Sequence, residues 1–156
     1  GVFCLVGIGI FAMCIHSFIR VLLVGETAVE ITSETLRPGG NFEGYVTQKG
    51  DFPIDSLQVC LLCREGAKYR QDKHTVTVPN NVHEEILFLG ENLQASATTP
   101  VAQFQGQIPL DAMHSFVASW NKIEWFLTVK AVIPKRPDYE DKFKIRVVPE
   151  MPWENV

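Results

Sequence analysis

The sequence predicts an all-β protein: an antiparallel β-sandwich of seven or eight short strands, preceded by an N-terminal transmembrane helix. Three observations lead there. Beyond residue 26, apolar and polar residues alternate over most of the chain. Clusters of Gly, Pro, Asn and Asp interrupt the alternation about every ten residues, as turns between short strands do. Charged residues make up 21% of the chain, yet residues 1–19 contain none. Polarity is therefore divided between a leader and a soluble part, and the expected organisation is a membrane helix over 1–25, a sandwich over 26–150 and a tail over 151–156.

Residues 1–24 read GVFCLVGIGIFAMCIHSFIRVLLV, with Arg20 the first charge. About 19 apolar residues at ~1.5 Å rise reach roughly 28 Å, close to the hydrocarbon thickness of a bilayer. A membrane span is the expectation, with the lipid bilayer as partner of residues 1–24 and Arg20 snorkelling to the headgroups. A signal peptide would carry a basic segment and a short apolar one, and this leader has neither. The sequence starts at Gly rather than Met, so it reads as the end of a longer membrane region. The positive-inside rule compares two flanks, and one flank leaves orientation open.

The soluble part follows in order. Val29 and Ile31 alternate with polar neighbours in residues 26–35, a first strand beginning at the membrane. Leu36-Arg37-Pro38-Gly39-Gly40 is a turn. Phe42, Gly44 and Val46 share a parity on the next strand, and Leu57, Val59, Leu61 and Cys63 form an inward row on a third. Residues 65–69 are polar and read as a loop. A short strand over Thr75 to Val78 stops at Pro79-Asn80-Asn81. Val82 to Leu89 is ambiguous between strand and helix, with strand favoured by its neighbours. Residues 91–100 are small and polar, hence a loop; Gln103, Gln105 and Gln107 then alternate with Phe104, Gly106 and Ile108. Residues 111–120 form a connection with a helical turn.

The sharpest signal is the hairpin over residues 121–149. Ile123, Trp125, Leu127, Val129 and Ala131 share one parity, against Glu124, Thr128 and Lys130 on the other. Phe143, Ile145 and Val147 repeat the rule, and the segment from Pro134 to Tyr139 carries turn residues. Charge complementarity sets Glu124 opposite Arg146 and Lys130 opposite Glu140, which places Trp125 opposite Ile145 on the buried face.

Several chemistries lack their residues. The net charge of -4 is spread without a basic stripe, so nucleic acid is not an expected partner. Cys60 and Cys63 lie three apart on a strand and point to opposite faces, which suits neither a disulfide nor a shared metal. Unpaired thiols and the absence of an N-x-S/T sequon favour a cytoplasmic soluble domain. His74, His83 and Glu84 fall on different elements without metal-ligand spacing and read as solvated. Asp111, His114 and Ser115 are too close in sequence for a catalytic triad, and no nucleophile elbow is present. Asp138, Glu140 and Asp141 lack the glycine and spacing of a calcium loop. No catalytic, cofactor-binding or metal residues are expected, nor a small-molecule substrate. Phe126, on the polar parity of the hairpin, and Trp153, just beyond it, are the candidate interaction surface.

The run Phe104 to Pro109 (FQGQIP), the step His114-Ser115-Phe116, the strand pattern I-x-W-x-L-x-V and the closing F-x-I-x-V resemble the arrestin-like sandwich family. The likeness is nearest to bacterial membrane-tethered versions, in which a hydrophobic segment precedes an immunoglobulin-like β-sandwich. It implies an adaptor or scaffold, with no shared catalytic residues to carry over. The chain is too short for the two sandwiches of a full arrestin and shows no arrestin-type polar core, so phosphate sensing is not implied. The expectation is a membrane-anchored, non-catalytic module for protein–protein interaction, or a structural subunit of a membrane complex with other membrane proteins as partners. The alternative is an accessory domain of a membrane enzyme or transporter whose active part lies upstream of Gly1.

Overall fold

A computed structural model of the chain describes residues 27–33 and 35–149. The leader, on which the expected membrane span falls, and Trp153 lie outside the described residues, and no described helix is long and apolar enough to cross a membrane. Eight strands follow in order: β1 (Thr27–Ile31), β2 (Asn41–Gln48), β3 (Pro53–Gln71), β4 (His74–Gln94), β5 (Ala102–Gln107), β6 (Phe116–Val117), β7 (Asn121–Val132) and β8 (Tyr139–Ile145). They form two antiparallel sheets, one of order β1-β2-β5 and one of order β4-β3-β7, in which β6 and β8 both pair with β7.

The period-2 rows explain why these strands share one core. Val46 on β2, Phe104 on β5, Leu61 on β3 and Leu127 on β7 all turn into a single buried cluster between the sheets. Trp125 lies at its centre, 1% exposed, and its indole Nε1 donates to the Met113 carbonyl at 2.8 Å. That bond satisfies the one polar atom of the largest buried side chain. The segment before β6 is held in turn by Ser115, whose backbone N–H donates to the Val147 carbonyl at 2.7 Å. Ser115 Oγ accepts from the Val147 N–H at 3.0 Å. Leu36 bridges Val147 in parallel and ties the β1–β2 connection to the chain leaving β8.

The hairpin register agrees with expectation: Trp125 faces Ile145 and Lys130 faces Glu140. The β3–β4 region does not. Residues 65–69, expected as a loop, belong to β3; Pro79 and the two asparagines after it lie inside β4, and β4 runs on to Gln94. Expected strand ends became one long ribbon because β4 is an edge strand, where a proline N–H is not needed by a neighbour on its free side. Two extra residues, at the register shifts Val59/Cys60 and Cys63/Arg64, let β4 twist along β3. Past Lys68, whose N–H still donates to the Trp120 carbonyl at 2.7 Å, the ribbon continues as an arm to the turn at Asp72, whose φ is 54°. The expected helical turn over 111–120 is replaced by the short strand β6.

Replacing Trp125 with Ala should cost about 3–5 kcal/mol of unfolding free energy, from lost burial and an orphaned Met113 carbonyl. Denaturant titration of Trp125→Ala checks this, and a loss below about 1 kcal/mol would contradict the packing described.

Candidate functional site: the outer face of the large sheet

Alternation sends the even-numbered residues of β3, β7 and β8 to the side of the large sheet away from the core. On an ordinary half-solvated sheet this face would be polar. Here Cys60 and Leu62 on β3 and Thr128 on β7 are 2%, 5% and 5% exposed, although they lie outside the sandwich interior. Leu62 pairs with the half-buried Phe126, and Cys60 pairs with Thr128 on one side and Ile86 on the other. Ile86 and Leu89 on β4 are 56% and 65% exposed. The result is an apolar centre with an exposed margin. A shallow depression between Gln58, Leu89, Lys130 and Val132 adjoins it.

Around this centre the charges are sorted. Arg64, Lys68 and Arg70 follow on β3, Lys122 on β7, and Lys142 and Lys144 on β8, all of the same parity. Glu124 lies among them, its carboxylate 2.6 Å from Lys122 Nζ and 2.8 Å from Lys144 Nζ. Hydrogen bonds from those two lysines hold the Glu124 carboxyl below the usual glutamate range, against a smaller opposing effect of burial. The β7–β8 register, with Trp125 opposite Ile145, is the one in which Glu124 was expected to face Arg146; the ion-pair partners of Glu124 are Lys144 and Lys122. The smaller sheet differs. Its outer face carries Glu30, Glu43, Tyr45 and a row of glutamines, with Gln105 donating to Glu43 at 3.0 Å. Six of the fourteen cations that looked evenly spread along the sequence are thus brought onto one face, together with Glu84 and Glu124. Their shared even parity was the available signal.

The remaining candidates are placed as follows. Phe126 is half-buried against Leu62 rather than free-standing. Cys60 and Cys63 are free and buried on opposite faces; burial and, second, the Glu65 charge push the Cys63 thiol up to about 11. His74 ends the arm, whereas His83, expected to be solvated, is half-buried. Its ring tilts against Trp125 at 5.9 Å and its Nε2 lies 3.5 Å from Glu85, because its pairing with Cys63 turns it to the inner side of the sheet. Glu84 points to the other side. Ser115 Oγ is engaged by the Val147 N–H, and His114 tilts over Phe116 instead of meeting it. Asp141 accepts from the Tyr139 hydroxyl and the Lys142 N–H while Glu140 faces Lys130, so the acidic run is dispersed. Among the described residues no three His, Cys, Asp or Glu side chains converge on a metal position.

Two antiparallel sheets joined in this way make an arrestin-like β-sandwich. No protein-family model matches the chain, and no curated protein matches it. Among solved structures it is similar to Spo0M, a sporulation control protein from Bacillus subtilis, with a TM-score of 0.55 and 17% identity. The match covers 78% of this chain and 48% of that one, so the chain spans about half of Spo0M's length. A likeness at that identity concerns the fold.

Two measurements check the site chemistry. Cys63 should resist alkylation at pH 8 in the folded protein and react on unfolding, as read by peptide mapping, since only the thiolate is nucleophilic. The folded pKa of Glu124 lies below its unfolded value, so its stabilising contribution is full above the ordinary glutamate range. It is lost as pH falls through the folded value. Glu124→Gln should therefore lower stability at neutral pH and flatten the acid limb of the stability profile.

Proposed function

We propose that the chain is a membrane-tethered, non-catalytic interaction module that holds another protein of a membrane complex against the outer face of its large sheet. The observation that supports this reading is the apolar margin of Ile86 and Leu89, 56% and 65% exposed, beside the half-buried Phe126 and the buried Cys60 and Leu62, on a face that is polar in an ordinary antiparallel sheet. Apolar centres within polar rims are the usual anatomy of docking surfaces. The tether is the apolar leader, residues 1–24, whose one charge is Arg20 and which precedes β1 with Gly25 and Glu26 between. The family likeness read from the hairpin also favours an adaptor. A cytoplasmic placement rests on the free thiols and the missing sequon. The alternative role, as accessory domain to a membrane enzyme or transporter encoded upstream of Gly1, uses the same face for an intramolecular partner.

Photo-crosslinking amino acids placed at Phe126 and Ile86 in the native full-length protein should give adducts with another polypeptide in membranes. The same probe at Tyr45, on the opposite face, should give none. Equal or absent adducts at both faces would rule out the docking role. In the same preparation the protein should remain with the membrane pellet after alkaline extraction, and release into the supernatant would remove the tether.

A further inference from the structure

The proposed docking role leaves the partner's chemistry open, and the arrangement of charge narrows it. From the row Cys60–Thr128 down to the arm, the outer face carries the cations Arg64, Lys68, Arg70, Lys122, Lys142 and Lys144. Two carboxylates share that half: Glu84, which pairs with Leu62, and Glu124, held between Lys122 and Lys144. At the edge of this region β6 and β8 both pair with β7 and leave a gap between them. The gap is lined by Phe116, Val117, Ile123, Lys144 and Arg146, and Val117 is 74% exposed. An apolar recess therefore opens beside the cations, next to the apolar centre around Leu62.

A basic face with an apolar centre fits an anionic bilayer or an acidic polypeptide, and the topology separates the two. Thr27 pairs with Gln48, so the leader meets the sandwich at the end where β2 finishes and β3 begins. The arm and the cations Lys68 and Arg70 lie at the opposite end, reached by the full length of β3. With the leader in a membrane, these cations point away from it. A strand of this length spans roughly 60 Å at ~3.3 Å per residue, many times the range of a screened charge.

We propose that the lower half of this face binds an acidic polypeptide segment carrying an apolar anchor: carboxylates meet Arg64, Lys68, Lys122 and Lys144, and the anchor enters the recess between β6 and β8, where Val117 is exposed. Glu124 holds the ammonium groups of Lys122 and Lys144 together on this face and lowers the repulsion between them in the free protein. The cations supply rate and orientation, the apolar recess residence time.

The test uses the full chain in a zwitterionic nanodisc and three synthetic peptides: a Leu-Phe-Leu centre flanked by glutamates, the same centre flanked by lysines, and glutamates around a Ser-Gly-Ser centre. The first should bind at least about tenfold more tightly than the other two. Its binding should weaken steeply from about 0.1 M to about 1 M salt, as the screening length shrinks. Lys68→Glu with Arg70→Glu, on the exposed arm where neither side chain packs in the core, should weaken it at least about fivefold. Lys144→Glu should do the same, and the arm variant keeps the test valid if Lys144→Glu unfolds. Equal binding of the lysine-flanked peptide, or no effect of the arm variant, would overturn the proposal. So would binding of full-length protein to added phosphatidylserine vesicles through these residues, or concentration-dependent self-association abolished by the same variants. If crosslinks at Phe126 and Ile86 persist while the peptides show no preference, the partner's chemistry is wrong and the docking role stands. Loss of both removes the role itself.

Discussion

The structure depends on β3 being buried on both of its faces. It pairs with β4 on one side and with β7 on the other, and from Val59 to Cys63 every side chain is buried. Inward residues enter the sandwich core, as any central strand requires. Outward residues Cys60 and Leu62 have no second layer of secondary structure above them among the described residues, yet they are apolar. The run VCLLC thus has the near-continuous apolar character of a strand covered on both sides, in an antiparallel sheet where one side normally faces water. Within this run a slip of one residue would only exchange Leu61 and Cys63 for Cys60 and Leu62, so the register is fixed by the strict alternation of β7 beside it. Trp125 then fixes β7 against β3 by its pairing with Cys63 and its bond to Met113.

From that constraint follows a molecule with two unlike faces and two unlike ends. One outer face is apolar at its centre with cations around it, and the other is acidic and amide-rich. One end receives the chain from the leader; the other extends β3 and β4 into an arm that leaves the rest of the sheet behind. Under the proposed membrane tether, strands running between the two ends would turn both faces sideways to the membrane, and a partner in or beside it would meet a face rather than an end.

Where alternation was strict, the fold was legible. The hairpin of β7 and β8 could be read to the residue, because Ile123 through Ala131 and Phe143 through Val147 alternate and opposite charges fix the register. The antiparallel class and the short β1, β2 and β5 were equally plain. The β3–β4 ribbon was not, for a local reason: Pro79, two asparagines and the polar run from Glu65 carry turn chemistry, and only the pairing partner reveals that they lie on an edge. The candidate site was half legible. Phe126 stood out on the polar parity, and the inward row Leu57, Val59, Leu61 and Cys63 already left Cys60 and Leu62 on the other face; that those two are buried there depends on packing that alternation does not encode. The cations were counted as dispersed because they are far apart in sequence; folding stacks strands about 4.8 Å apart and makes neighbours of Arg64, Lys122 and Lys144.

If the proposed docking role holds, the outer face of the large sheet is covered in the native membrane. Lysine labelling followed by mass spectrometry tests it directly, comparing native membranes with the purified full-length protein. Lys122, Lys142 and Lys144 should be protected in membranes and reactive after purification, with Lys73 at the arm turn reactive in both. Equal reactivity of all four in both preparations would contradict the claim.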